Sequence, residues 1–334
     1  VGTYLFWRDK ARTALDRDGV LDLYLSAIER YEIPILSIED GFSEHDHEGW
    51  RLLRQRLGER LFIIGDDLVT TNDRTIEEAA GQGLINCVLI KANQIGTLYE
   101  TLLAMLVALG KGLDLVVSHR SKSPNDDMEA HIALAVNALG LKAGGGANTE
   151  RLVKYQAVTA LLLKLDEPPG SRGLAEGEQA LIRTMRSYEE PTNAGIPTVG
   201  TTVEVSLPSS GVSLTFTGAT PLGTSAGSGE AIHLVDATVE YAERKELIDR
   251  FPALFEDVEL GVHAFKRGVG EERVRSEADD GLAELFHRTL RYGGKGCLNA
   301  VDNVWQILAP SFEGENIAVL SLLEVDRTLL QLEL

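Results

Sequence analysis

Side chains with chemical potential follow five short apolar runs in the first 142 residues, each at the point where the run ends. In chain order these positions are Glu39, Asp66, Lys91, Ser118 with His119 and Arg120, and Lys142. Glu39 and Asp66 offer hard carboxylate oxygens, which are the ligands that Mg²⁺ prefers in proteins. A desolvated lysine at the next position, Lys91, is suited to the role of a general base.

The remaining positions are suited to binding an anionic substrate. Arg120 offers a bidentate fork to a phosphate, His119 adds a further contact, and Lys142 could hold a carboxylate. Any one of these residues alone is more simply a helix cap or a solvated loop charge. Together, two acids, a base, a phosphate clamp and a second lysine indicate metal-assisted proton abstraction next to a carboxylate.

The elements that must position these residues are alternating strands and helices. Apolar runs at 33–38, 61–64, 88–90 and 113–117 are separated by amphipathic stretches such as 50–57, 76–83 and 97–109. Short strands that alternate with helices predict parallel βα units. In an α/β barrel the carboxyl ends of such strands form the face that carries the chemistry, and all five positions fall there.

The second half of the chain follows a different pattern. Asp166–Gly173 is rich in Pro and Gly, and we predict a linker over 166–188. Beyond it, 198–207 and 213–217 read as a strand pair joined by a turn at Pro208–Gly211, followed by a loop of small residues over 218–229 and by helices to Leu334. The predicted domains are therefore residues 1–165, which carry the βα units, and residues 189–334, a smaller α+β domain.

Composition excludes several classes of protein. The 334 residues hold 32 Lys and Arg against 51 Asp and Glu, and the net charge of −19 disfavours nucleic acid and anionic membranes as partners. The apolar fraction of 44% excludes a disordered chain.

Only two cysteines, Cys87 and Cys297, are present; we expect them to be reduced and buried in a cytoplasmic protein. No apolar run is long enough to predict a membrane span, and no signal peptide pattern opens the sequence.

Longer motifs around the five positions resemble a known family. Ser37–Asp40, Gly65–Asp67, Leu89–Thr97 and Ser118–Ser121 are similar, in order, to the barrel motifs of enolase (phosphopyruvate hydratase), and Glu150–Tyr155 resembles the helix that ends that family's chain. The second half resembles the family's N-terminal cap domain through Gly195–Val199, Pro221–Gly227 and Gly293–Gly296. The resemblance implies an α/β fold, a partial enolase-type (β/α) barrel plus a smaller α+β cap domain.

The resemblance also implies a reaction, the interconversion of 2-phosphoglycerate and phosphoenolpyruvate in glycolysis with Mg²⁺. Lys91 would remove the proton α to the carboxylate, and Glu39 and Asp66 would hold the metal. Arg120 would bind phosphate, while His119 and Lys142 would contact substrate. Ser121 and Ser225 would help to place a second metal ion. The family usually dimerises, so a homodimer is expected.

Two departures from the family pattern leave alternatives open. The cap-like part follows the barrel-like part, and only five active-site strands can be placed where a closed barrel has eight. The Asp-Glu-Gly-Gly motif of the segment that bears the general-acid Glu and the third metal carboxylate is absent. The sequence is therefore compatible with part of a longer chain, a fusion of two copies, or a permuted relative without activity. The last would be a binding or scaffold protein on an enolase fold.

Three smaller features have simpler interpretations than a functional site. Glu44–His47 resembles a metal cluster but is better explained as a solvated loop. Gly144–Gly146 reads as a turn after the last strand rather than as a phosphate cradle. Asp67 either supports Asp66 or caps the following helix, and the sequence favours neither.

Overall fold

The computed structural model describes every residue except 1, 7–9, 12, 31–33, 166–173, 175–176, 224–226, 232–233, 260 and 334. The chain divides into two compact units. Unit 1 comprises Val1–Arg120, Asp127–Asp166 and Gly223–Ala231, and unit 2 comprises Ser121–Asp126, Glu167–Leu222 and Ile232–Leu334. The short segment 223–231 thus belongs with the predicted βα units, although it lies far along the chain.

Unit 1 alternates strands and helices as predicted. Its elements are β1 (Thr3–Leu5), β2 (Ala14–Asp16), α1 (Arg17–Arg30), β3 (Ser37–Glu39), α2 (His47–Leu57), β4 (Phe62–Gly65), α3 (Asp73–Gly81), β5 (Cys87–Ile90), α4 (Ala92–Ile95), α5 (Leu98–Gly110), β6 (Asp114–Ser118), α6 (Met128–Ala135), β7 (Gly140–Lys142) and α7 (Thr149–Leu165). β1 and β2 pair as a separate antiparallel ribbon.

Strands β3 to β7 form one parallel sheet in sequence order, β3-β4-β5-β6-β7. This curled half-barrel confirms the predicted partial (β/α) barrel, and its five strands end where the apolar runs predicted. β3 is shorter than the apolar run that predicts it: it begins at Ser37, and Pro34, earlier in that run, has no N–H to donate to a ladder.

A continuous apolar core lies between the sheet and its helices. α2 contributes Trp50, Leu53 and Leu57, which recur on one face of the helix and are fully buried. β4 and β5 contribute Ile63, Val88 and Ile90 to the same cluster. The fully apolar β5, Cys-Val-Leu-Ile, is buried at every position, as a central parallel strand must be when both of its faces are covered.

Unit 2 is a mixed α and β domain. Its elements are β8 (Leu181–Pro191), β9 (Pro197–Leu207), β10 (Val212–Ala219), β11 (Val239–Glu240), α8 (Tyr241–Arg250), β12 (Phe255–Glu259), β13 (Val262–Phe265), α9 (Glu271–Arg275), α10 (Asp280–Leu290), a 3₁₀ turn (Arg291–Gly293), α11 (Leu298–Asn303), a π-helical turn (Val304–Leu308), α12 (Ala309–Phe312) and α13 (Leu322–Glu333). The predicted hairpin is confirmed as β9 and β10, joined by a turn that ends at Gly211 with a φ of 69°.

Two parts of unit 2 differ from the prediction. β8 occupies 181–191 and pairs with β9, so residues 181–188 of the predicted 166–188 linker are sheet. This edge strand carries Arg183, Arg186 and two Glu residues, which hide its alternation from a search for apolar runs. A second sheet, β11-β13-β12, stands in a region predicted to be helical, because its strands are only two to five residues long.

The cysteines match the expectation. Cys87 and Cys297 are both free thiols and both buried, and burial raises the pKa of each to about 12. Neither is therefore a thiolate at neutral pH. Within the described residues, no helix combines the length and the apolar character needed to cross a lipid bilayer.

Candidate active site

The carboxyl ends of the five parallel strands lie along one edge of the sheet. Glu39 and Lys142 are the last residues of β3 and β7, Asp66 and Lys91 directly follow β4 and β5, and His119 follows β6. The parallel register aligns these ends, since Glu39 is opposite Ile64, Gly65 opposite Val88 and Ser118 opposite Lys142. The sheet therefore brings the sequence-predicted residues of unit 1 to the same edge.

Asp66 and Lys91 form a buried ion pair at adjacent strand ends. The Lys91 ammonium donates to Asp66 Oδ2, and the two side chains are only 13% and 9% exposed. Asp66 Oδ1 accepts a second hydrogen bond, from Gln94 Nε2 at 3.0 Å. Both oxygens of this carboxylate therefore already have protein donors.

Three aspartates gather beside this pair. Asp40, Asp66 and Asp67 each offer an oxygen, and these oxygens lie within 4.8 Å of one another. Asp40 adopts a left-handed φ of 45°, and its two oxygens accept the backbone N–H groups of Asp66 and Asp67, each at 3.0 Å. Burial, together with the two neighbouring carboxylates, raises the pKa of Asp40 to about 6. Burial and the charge of Asp66 also raise the pKa of Asp67.

Glu39 and Lys142 join the two outer strands of the sheet. Lys142 Nζ donates to both oxygens of Glu39, at 2.7 and 2.6 Å. This ion pair is more exposed than the Lys91–Asp66 pair, with 46% of the Lys142 side chain accessible to solvent. Glu39 does not belong to the group formed by the three aspartates.

Arg120 is paired with a residue that is distant in sequence. Its Nη2 donates to Glu230 Oε2 at 2.8 Å, and the side chains are 4% and 3% exposed. Burial raises the pKa of Glu230, but the hydrogen bonds from Arg120 and Gln94 outweigh burial and leave the pKa below its ordinary value. Glu230 is therefore ionised at neutral pH and neutralises Arg120.

His119 is held neutral next to these cations. Burial, reinforced by the positive charges of Arg151, Lys154 and Lys142, lowers the pKa of His119 to about 4. Its buried Nδ1 has no hydrogen-bond partner among the described residues. A neutral imidazole with an unused ring nitrogen can donate to or accept from a bound molecule.

A comparison with protein families identifies the barrel part of the chain. The family model described as the enolase C-terminal TIM barrel domain matches residues 7–183, which is more than half of the 334 residues. This chain belongs to the enolase superfamily. Membership indicates a lyase-type enzyme, and the matched range contains all of the strand ends described above.

The chemistry of the donor set fits the cation that enolase-superfamily enzymes typically use, Mg²⁺. Three carboxylates whose oxygens approach within 4.8 Å repel one another, and this repulsion adds to the burial that raises the pKa of Asp40. A divalent cation relieves such repulsion, and carboxylate oxygens are hard ligands. Asp66 and Asp67 are the residues that would hold it. The oxygens of Asp40 accept backbone N–H groups, which are fixed by the fold, whereas the donors to Asp66 are the side chains of Lys91 and Gln94, which can move away.

Two predicted site residues lie outside this group. Ser121 is the first residue of the 121–126 segment of unit 2, and its backbone carbonyl accepts from Asn193 Nδ2 at 3.2 Å. Ser225 lies outside the described residues, so its predicted contact with a second metal ion stays a prediction. The open question about Asp67 is answered against capping, because Asn72 caps helix α3.

The loop at Glu44–His47 is solvated at His45, as the sequence suggested, but it is buried at Asp46. Asp46 is 1% exposed, accepts from Arg17 Nε at 2.8 Å and from the Tyr4 hydroxyl at 2.5 Å, and caps helix α2 through Gly49 N. Burial raises the pKa of Asp46, but these donors outweigh burial and hold it below its ordinary value. The segment stabilises the start of α2 and forms no metal cluster with its two histidines within the part of the chain described here.

Sequence reasoning missed three residues of the candidate site. Asp40 was visible directly after a strand end, but only the fold shows that its oxygens return to the backbone of Asp66 and Asp67. Gln94 has no charge to mark it, yet it is fully buried between two carboxylates. Glu230 lies 110 positions from Arg120, and no local pattern indicates such a pair.

Proposed function

We propose that the chain is a phosphopyruvate hydratase-like lyase that interconverts 2-phosphoglycerate and phosphoenolpyruvate. The observation that carries the proposal is the Lys91–Asp66 pair beside the three-aspartate group, at adjacent strand ends of a barrel matched to the superfamily. A base and cation-binding carboxylates in contact are what abstraction of a proton next to a carboxylate requires.

Each residue of the proposed site has a separate role in this reaction. The proton α to a carboxylate is weakly acidic, so a base alone cannot remove it. Mg²⁺ held by the carboxylates would supply electrostatic stabilisation to the enediolate. Lys91 Nζ accepts the proton; because an ion-paired ammonium has no free lone pair, Lys91 must first give a proton to solvent and leave Asp66. The substrate hydroxyl then leaves as water with a proton from solvent, which completes the elimination. His119, which is neutral, contacts the substrate together with Lys142, and Arg120 binds the phosphate of the substrate.

We propose the substrate class, the oligomeric state and the location together with this reaction. The substrate class is a phosphorylated 2-hydroxy acid, and the reaction is a step of glycolysis. A homodimer is carried over from the resemblance to enolase alone. A cytoplasmic location is supported by two free, buried thiols, which suit a reducing compartment.

A second candidate is a catalytically inactive binding or scaffold protein on the same fold. It is favoured by the internal pairing of every predicted cation: Lys91 with Asp66, Lys142 with Glu39 and Arg120 with Glu230. The parallel sheet of the described residues also has five strands, whereas a closed (β/α)₈ barrel has eight. An inactive protein needs no cation free for substrate.

The two candidates differ in one assay, the formation of phosphoenolpyruvate from 2-phosphoglycerate with Mg²⁺. Wild type and Lys91→Met are compared, since methionine fills a similar volume without a basic nitrogen. Lys111→Met is the matched control, because Lys111 lies beyond the C-terminus of α5 and pairs with Glu77 on the surface. The lyase proposal expects Lys91→Met to lose about 10²-fold or more of the rate and the control to lose none. A wild type without activity favours the scaffold.

A further inference from the structure

Segment 227–231 is packed closely on the strand-end loops of unit 1. The backbone N–H of Ala231 donates to the carbonyl oxygen of Gln94 at 2.7 Å. A Cβ atom at Gly227 or Gly229 would come within 2.7 Å of the Thr70 side chain, so only glycine permits this approach. The segment therefore fits against the loop that follows Asp66.

The side chain of Glu230 reaches from this segment to the guanidinium of Arg120. Both side chains are almost completely buried, and the backbone at Gly223 also abuts Arg120, since a Cβ there would lie 1.8 Å from Nη2. A phosphate that is to form a bidentate pair with Arg120 must therefore displace the carboxylate that already occupies it.

Gln94 connects this ion pair to the base and the aspartates. The Thr71 hydroxyl accepts the backbone N–H of Lys91 and so donates its own hydrogen to Gln94 Oε1, at 2.8 Å. The amide nitrogen of Gln94 consequently faces the two carboxylates, and its two N–H groups reach Asp66 at 3.0 Å and Glu230 at 3.1 Å. Both donors of a fully buried amide are used, so neither carboxylate can move without leaving one of them unpaired.

We infer that Glu230 is an internal anion that holds segment 227–231 closed on Arg120, and that Gln94 is the positioning residue that couples this closure to Asp66 and Lys91. Anion binding at Arg120 then competes with Glu230, and opening of the segment also changes the donors around Asp66. The inference rests on the proposed function only in its assumption that Arg120 meets a phosphate.

Hydrogen exchange tests the closure without any enzyme assay. The amides of Gly227 and Ala231 are measured, because they donate to Glu230 Oε1 and to the Gln94 carbonyl. Glu230→Gln and Gln94→Met should each raise these exchange rates about tenfold or more, because the first removes the charge that pairs with Arg120 and the second removes both amide donors to the carboxylates. Glu44→Gln is the control: Glu44 accepts from Ser228 in the same segment, but at an exposed position, so exchange should change little.

Binding of inorganic phosphate tests the competition. Calorimetry should show about tenfold tighter binding to Glu230→Gln than to wild type, and the gain should disappear when Arg120→Met is added. Amides in helix α2 serve as the internal reference for folding, since a variant that unfolds globally raises exchange there too.

Each result bears on the inference. Faster exchange in both variants with tighter phosphate binding to Glu230→Gln supports it. Unchanged exchange in either variant, or phosphate binding that stays equal or weakens, overturns it. Formation of phosphoenolpyruvate is scored separately, so a protein that makes no product but shows these effects keeps the closure and loses the proposed reaction.

Discussion

Asp40 should make the protein less stable as the pH rises, and replacing it with asparagine should remove that effect. Its carboxyl group is buried against Asp66 and Asp67, which raises its pKa from 3.8 to about 6. A raised pKa in the folded state means that the folded protein binds the proton more tightly than the unfolded chain. The stabilisation is complete below about pH 4 and is lost as the pH rises through about 6.

The pKa difference sets the size of the effect. At 1.36 kcal/mol per unit, a pKa of about 6 against 3.8 corresponds to about 3 kcal/mol, of which about 2 kcal/mol falls between pH 4 and pH 8. Asparagine keeps one oxygen for the two backbone N–H groups, and the lost acceptor costs about 1 kcal/mol at every pH. This constant cost lowers the free energy of unfolding of Asp40→Asn equally at every pH and does not change how that free energy depends on pH.

Urea unfolding across this pH range, in the presence of a chelator, measures the effect. Relative to wild type, Asp40→Asn should gain about 2 kcal/mol in unfolding free energy between pH 4 and pH 8. Asp114→Asn is the control, because Asp114 is an exposed aspartate at the amino end of β6. Parallel stability curves for wild type and Asp40→Asn would refute the argument that burial beside two carboxylates raises the pKa of Asp40.

Two further predictions concern the core and the metal. Leu53→Ala removes a fully buried side chain of α2 and should lower the free energy of unfolding, measured with a denaturant, by about 2–5 kcal/mol. Leu106→Ala, at a position that is 66% exposed, should lower it by less than about 0.5 kcal/mol. Equal losses would contradict the assignment of Leu53 to the core. Mg²⁺ at about 100 times its dissociation constant should stabilise the wild type by about 2.7 kcal/mol in thermal unfolding. The same Mg²⁺ concentration should stabilise Asp66→Asn much less. It should stabilise Glu77→Gln, in which a surface carboxylate is replaced, as much as wild type. An equal stabilisation of Asp66→Asn and wild type would exclude Asp66 as a ligand.

The strand ends of the half-barrel could be predicted because their signal is local. Each buried parallel strand is a short apolar run, and the first charged residue after it marks the edge where the chemistry lies. Asp66 and Lys91 follow their strands directly, so periodicity placed both of them correctly. The motifs around them then indicated the superfamily that the comparison confirms.

The partners of these residues could not be predicted, because they depend on contacts that the sequence does not display. Glu39 is predicted to hold a metal ion together with Asp66; in the structure Glu39 pairs with Lys142 across the sheet, and Asp40 belongs to the three-aspartate group with Asp66. Asp40 directly follows β3 and has a left-handed φ, which no pattern in the sequence indicates. Glu230 shows the same limitation, since its partner Arg120 is brought close only by the folded chain.

Unit 2 was predicted less completely for a different reason. The hairpin of β9 and β10 alternates cleanly and ends in a Pro–Ser–Ser–Gly turn, so its signal is strong. β8 is a charged edge strand, and the strands of the second sheet are too short to show a period. Tertiary pairing rather than local propensity determines such strands.

The rate of phosphoenolpyruvate formation from 2-phosphoglycerate with Mg²⁺, measured for wild type and Lys91→Met, tests whether Lys91 is a catalytic base. We predict a wild-type rate that depends on Mg²⁺ and falls by about 10²-fold or more in Lys91→Met, while Lys111→Met retains it. Equal rates in wild type and Lys91→Met, or no product from either, would contradict the claim that Lys91 is the base of an active lyase.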